Sequence, residues 1–250
     1  MEQPEKIYYD LAQRRMKANN YFSAIEALQA IETNYPFGRY AEQAQSELIY
    51  AYYMNGEDEA SHEAAEKFIR LNPRHPNIDY AYFMRGISSY TRDKGIFARV
   101  FKRDLSDRDI SGAKQAFGEL SEFLTRFPQS QYAPYASQRL IYLRALIAKN
   151  ELVVAEYYLR RKAYVAALRR AKYVIENIPN TSETIRALTI ARECYKQLGY
   201  LELMEDIDSV IVMNGGVISE PQKKSSWNLF SRNAPAPGLE ILNYFIQGFG

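Results

Sequence analysis

The chain has 250 residues, enough for a sizeable core in one domain or two. Its 47% apolar content excludes a disordered chain, its net charge of +2 gives no electrostatic case for nucleic acid, and its single cysteine, Cys194, excludes an intrachain disulfide. No apolar run approaches the roughly 20 residues of a membrane span, and the polar start Met1-Glu2-Gln3-Pro4-Glu5 lacks the apolar stretch of a secretory signal.

In chain order, the first helix is marked by Tyr8, Leu11 and Ala12 and ends at the turn Asn19-Asn20-Tyr21. A second amphipathic helix runs up to Pro36. The motif repeats: Leu48, Ile49 and Tyr52 lead to the turn Asn55-Gly56, and the next helix stops at Pro73. Tyr82 and Gly86 open a third unit that closes at Pro128, and a fourth closes at Pro179. Proline cannot continue a helix, so each one sets a register.

Aligned on the proline, the columns agree. Twelve residues before it stand Ala24, Ser61, Ala116 and Ala167; eight before, Leu28, Ala65, Leu120 and Ala171; five before, Ile31, Phe68, Phe123 and Val174. These offsets fall on one helical face. The spacings between prolines are 37, 55 and 51 residues. The first is near the roughly 34 of a tetratricopeptide unit. The second implies an insertion within Arg92–Gly112, and the third a lengthened helix within Tyr132–Arg161. A fifth pair reads as Ser182–Leu198, a break at Gly199, and Leu201–Val212, closed by Asn214-Gly215-Gly216.

The predicted fold is therefore all-α: a tetratricopeptide-repeat solenoid of about five helix pairs, with an insertion in the third repeat. The repeats span 5–213, with N-terminal repeats 5–92 and C-terminal repeats 112–213. Residues 214–250 read as a Pro/Ser/Lys-rich linker carrying Trp227, followed by an apolar tail from Gly238 to Gly250 that is expected to dock on a groove, its own or a neighbour's.

Several stretches also resemble a known family. They are Asn34-Tyr35-Pro36-Phe37-Gly38, Ala41–Gln45, Leu48–Tyr53, Phe68–Pro73, His75–Tyr80, Met84-Arg85-Gly86, Asp107-Arg108-Asp109, Val154–Tyr158 and Ala163–Ala167. Over about 5–213 the chain is similar to the BamD lipoproteins of the outer-membrane β-barrel assembly complex. The resemblance implies a non-enzymatic scaffold on the periplasmic face of the outer membrane. Its implied partners are the periplasmic domains of BamA, other lipoproteins of the complex, and unfolded outer-membrane β-barrel proteins. It also implies an N-terminal lipid anchor, but the family's lipidated Cys has no counterpart here, and the tail after Ser219 lies outside the family pattern.

Tyr35-Pro36-Phe37-Gly38 has two readings. One is a helix stop with Phe37 packing between repeats. The other is an aromatic edge in which Tyr35, Phe37 and Tyr40, with Arg39 nearby, take an extended peptide and its carboxylate. A basic cluster follows later: Arg160, Arg161, Lys162, Arg169, Arg170 and Lys172, with no acid between Glu156 and Glu176. It reads as a solvated face or as a docking site for an acidic surface. The resemblance implies that the later repeats bind BamA, making Arg160, Arg161, Arg169, Arg170 and Lys172 the candidates.

The insert Lys94–Arg103 alternates basic and apolar residues and suits a partner or self-packing better than lipid. Asp104, Asp107 and Asp109 lack EF-hand spacing, and Asp107-Arg108-Asp109 reads as a helix cap that pairs locally. His62 and His75 have no further ligand spaced with them, so no metal is expected, and no catalytic constellation or cofactor motif is visible. Cys194 reads as a small buried hydrophobe. A cytosolic co-chaperone, the alternative adaptor, needs Lys and Asn at the fifth and ninth positions of the first repeat, where Tyr9 and Gln13 stand.

Overall fold

A computed structural model of the chain describes residues 4–95 and 110–215, with the side chains of 91–95 excepted. Among these residues there are ten helices and no strand. They are α1 Pro4–Lys17, α2 Tyr21–Asn34, α3 Ala41–Asn55, α4 Asp58–Leu71, α5 Ile78–Gly95, α6 Ser111–Arg126, α7 Ala133–Arg160, α8 Tyr164–Asn177, α9 Thr184–Leu198 and α10 Leu201–Met213. The chain is the all-α tetratricopeptide-like fold its periodicity predicts, with helices in five consecutive pairs. The basic insert around Lys94–Arg103, the Asp104/Asp107/Asp109 group and the tail from 216 to 250 lie outside the described residues.

The prolines act as the register requires. The residue before a proline is pushed out of helical conformation by the pyrrolidine ring. Tyr35, Asn72, Phe127 and Ile178 all end their helices at φ between −123° and −134°. Each donates its last N–H to the carbonyl four residues back, on Ile31, Phe68, Phe123 and Val174 respectively. Those four acceptors form one column of the repeat alignment. All twelve aligned residues, including the small ones at Ala24, Ser61, Ala116 and Ala167, are 0% exposed.

In the links α1–α2, α3–α4, α7–α8 and α9–α10, one residue adopts the left-handed region. Asn19, Gly56, Lys162 and Gly199 serve at φ of 56°, 80°, 59° and 80°. The N–H of the following residue closes the turn onto the carbonyl five back, as in Asn20 to Arg15, Glu57 to Tyr52, Ala163 to Tyr158 and Tyr200 to Tyr195.

The chain forms two compact units, 1–143 and 144–250. In the first, α1, α2 and α3 enclose Ala12, Ile25, Leu28, Ile31, Ala44 and Leu48. Phe68 of α4 and Met84 of α5 centre the next layer, with Ile49, Ala65 and Ala81. Gly86 brings α5 close to α6: a Cβ there would meet Leu120 Cγ and Cδ2 at 2.7 Å. In the second unit, Ala167, Ala171 and Val174 of α8 and Ala187, Ala191 and Cys194 of α9 are fully buried. Burial pushes the Cys194 thiol up to about 11, with the Glu193 carboxylate adding to the shift. Helix α7 is the expected long helix, at 28 residues.

Candidate binding sites

The aromatic edge of the first unit is built on α1 and the loop after α2. Pro36 ends α2, and the chain turns with Gly38 N–H donating to Tyr35 O at 2.9 Å. The loop is then held from outside. The Glu5 carboxylate of α1, 6% exposed, accepts from the backbone N–H of Tyr40 at 2.7 Å and of Arg39 at 3.2 Å. This places a negative charge at the N-terminus of α3, where the helix dipole favours it. Gly38 makes the approach possible, because a Cβ at that position would lie 2.2 Å from Glu5 Oε1.

Tyr40 is half-buried and stacks on Tyr9 at 4.6 Å, with the Arg39 guanidinium 6.0 Å from its ring. Tyr35 is half-buried near Tyr8, with ring centroids 6.4 Å apart. Phe37 is 100% exposed. Its packing between repeats is therefore overturned: Tyr35 and Tyr40 take the packing positions, and the pinned loop turns Phe37 into solvent. Tyr8, itself exposed, and Glu5 belong to this edge but were not legible, because they stand more than 25 residues before the loop they support.

Behind the edge lies a polar network. Tyr9 donates to Glu47 Oε1 at 2.8 Å, Gln13 to Glu47 Oε2 at 2.6 Å, and Gln43 to Glu47 Oε1 at 2.8 Å. Burial raises the Glu47 pKa, and the three donors oppose the rise. Burial, then the Glu47 charge, pushes the Tyr9 phenol up. The positions at which a carboxylate clamp would need Lys and Asn are thus occupied by residues bound to an internal carboxylate.

His62 shows a second departure. The sequence offers it no obvious ligand partner, yet the fold brings Glu119 from α6 to it, with Nε2 and Oε1 2.9 Å apart. Ser89 donates to Glu119 Oε2 at 2.6 Å and Gln115 to Oε1 at 3.0 Å. Burial alone would raise the Glu119 pKa; the hydrogen bonds from His62, Ser89 and Gln115 outweigh it and hold the pKa low. The hydrogen bond to Glu119 holds His62 above its usual value against burial. Together with Glu66, one turn along α4, these are the described residues whose ligand atoms lie close enough to hold a cation, all within 4.8 Å. The imidazole and Glu119 are already hydrogen-bonded to one another.

The basic cluster belongs to the second unit. Arg160, Arg161, Lys162, Arg169 and Lys172 are exposed. Arg161 lies over the Tyr157 ring at 5.4 Å, and Lys172 pairs with Glu176 at 3.4 Å. Arg170 differs from the others. It is half-buried, and its Nη1 donates to Glu151 Oε2 at 2.8 Å, where Glu151 is only 3% exposed. The sequence gives the pair no signal, because 19 residues and a helix boundary separate the partners. Arg169, Lys162, Tyr164, Val165 and Leu198 line an open pocket of about 440 Å³. No helix among the described residues is long and apolar enough to cross a membrane.

Comparison with known proteins identifies the family. A family model described as the outer membrane lipoprotein family YfiO matches residues 1–209. The outer membrane protein assembly factor BamD of Vibrio cholerae is 36% identical over 211 residues, covering 84% of this chain and 88% of the relative. BamD of Neisseria gonorrhoeae is 36% identical over 210 residues, covering 84% and 78%. BamD of Xylella fastidiosa strain 9a5c is 35% identical over 224 residues, covering 90% and 76%. The chain belongs to the YfiO family of outer membrane lipoproteins, the family of the BamD assembly factors.

Proposed function

We propose that this chain is a non-enzymatic scaffold for outer-membrane protein assembly, held by a lipid anchor at the periplasmic face of the outer membrane. In this reading, Tyr35, Phe37, Arg39 and Tyr40 take unfolded β-barrel segments. Arg160, Arg161, Arg169, Arg170 and Lys172 dock BamA, beside other lipoproteins of the complex. The observation that carries the substrate half is Phe37: a fully exposed phenylalanine on a loop pinned by a buried carboxylate. Leaving such a ring in water forfeits roughly 1.5–3 kcal/mol of burial, which a bound apolar segment recovers. Barrel strands supply alternating apolar side chains, and Arg39 suits a terminal carboxylate.

The test is binding of a fluorescent peptide with alternating aromatics and a free C-terminus, followed by anisotropy. Phe37→Ser should weaken it about tenfold, the equivalent of ~1.4 kcal/mol. An unchanged Kd would refute the edge as the peptide site. For the basic face, Arg160→Glu with Arg169→Glu should abolish co-purification of the periplasmic domains of BamA. Both side chains are exposed, so the fold survives the change. Undiminished capture would refute the docking face.

A further inference from the structure

Helix α10 ends the described part of the second unit, and its apolar residues are mostly uncovered. Of Leu201, Leu203, Met204, Ile207, Val210, Ile211, Val212 and Met213, only Ile211 is buried. Leu203 is 44% exposed and Val210 39%, with the half-buried Ile207 between them. These three stand at i, i+4 and i+7, so they form one stripe along the helix. The last helix of a repeat array ordinarily presents a polar outer face, since no further repeat covers it. This one presents an apolar stripe.

The chain carries a segment that matches it. In Leu239–Phe249 the aliphatic and phenylalanine residues are Leu239, Ile241, Leu242, Phe245, Ile246 and Phe249, with one further aromatic, Tyr244. At 100° per residue these six fall within an arc of about 160°, with Glu240, Asn243, Gln247 and the amphipathic Tyr244 outside it. This is the pattern of a short amphipathic helix with one face to bury.

Reach and charge agree. The 23 residues between Gly215 and Leu239 would reach about 25–30 Å as a random coil, against about 20 Å for the length of α10. Helix α10 carries Glu202, Glu205, Asp206 and Asp208 and no basic residue. The intervening stretch carries Lys223, Lys224 and Arg232 against the single acid Glu220. The family match ends at residue 209, so the segment lies beyond the shared repeats.

We propose that residues 239–249 cover the Leu203–Ile207–Val210 stripe of α10 and cap the repeat array from within the same chain. The occupant competing most directly is a second copy of the chain, and next to it a separate protein. Hydrogen exchange on the full chain separates these. The α10 amides are expected to exchange about tenfold or more faster in a Leu242→Asp/Phe245→Asp variant than in the wild type. Gln247→Glu, on the opposite side of the segment, should leave them unchanged. Amides around Val174 and Cys194 serve as the internal control and should stay protected in all variants. A Val210→Cys/Leu242→Cys pair in a Cys194→Ser background should form a disulfide within one chain under mild oxidant.

Equal α10 exchange in the wild type and the double variant would overturn the proposal and leave the stripe to another protein. Protection lost on dilution, or a disulfide only between chains, would overturn it in favour of a second copy.

Discussion

Arg170→Leu separates a docking arginine from a structural one. Arg170 Nη1 sits 2.8 Å from Glu151 Oε2. The Glu151 side chain is 4% exposed and that of Arg170 43%. Removing one member of a fully buried pair costs about 3–5 kcal/mol, because a desolvated charge loses its counter-charge. Here water reaches the arginine half, so the loss falls nearer the 1.5–3 kcal/mol range of a charged hydrogen bond, at about 1–3 kcal/mol. Urea unfolding followed by far-UV circular dichroism reads this loss directly. Replacing both partners, as Arg170→Leu with Glu151→Leu, removes the buried carboxylate together with its cation and should return part of the lost stability. Capture of BamA domains is then measured on the same double variant. Binding that stays weak in a restabilised protein assigns Arg170 a direct contact; binding that recovers assigns it a positioning role through α7. Single-variant stability equal to the wild type would refute the argument at its root.

The remaining expectations rest on contacts of the first unit. Gly38→Ala forces a Cβ against the Glu5 carboxylate, so the clamp on Arg39 and Tyr40 should open, with amide exchange at 37–40 rising as much as in Glu5→Ala; a protected loop would refute the clamp. Gly86→Ala drives a methyl onto Leu120 and its helix, where backbone also lies at 3.3 Å, and should cost about 1–3 kcal/mol in urea unfolding. The His62–Glu119 pair predicts a pH dependence. The pKa of His62 is raised above 6.5, so its stabilisation is full below 6.5 and fades as pH rises through the folded value. The pKa of Glu119 is lowered below 4.5, so its stabilisation is full above 4.5 and fades as pH falls through the folded value. The pair contributes most between those limits, and His62→Gln should flatten the decline in stability from pH 6.5 upward; an unaltered pH profile would refute the coupling.

The difference between what the sequence reveals and what it hides follows from how each feature is encoded. Proline and small-residue columns recur, so Pro36, Pro73, Pro128 and Pro179 mark helix ends through a local steric effect that needs no knowledge of the neighbours. The twelve aligned positions are fully buried for the same reason: a periodic pattern names the core face. Polar pairs carry no such period. Glu5 meets residue 40 across 35 positions, Tyr9 meets Glu47 across 38 and His62 meets Glu119 across 57. Each is made only after the helices stack, so single-chain spacing cannot report it.

The same logic explains why Phe37 and Arg170 departed from their plainest readings. An aromatic residue in a loop after a helix ordinarily packs, and an arginine in a basic run ordinarily points to solvent. Distant carboxylates reverse both expectations. Glu5 fixes the loop so that Tyr35 and Tyr40 occupy the half-buried places and Phe37 is left outside. Glu151 takes Arg170 out of the run that leaves Arg160, Arg161 and Arg169 exposed. The repeat pattern thus supplies the helical frame. Buried acids, placed at irregular distances along the chain, then select which aromatic and which cations that frame presents.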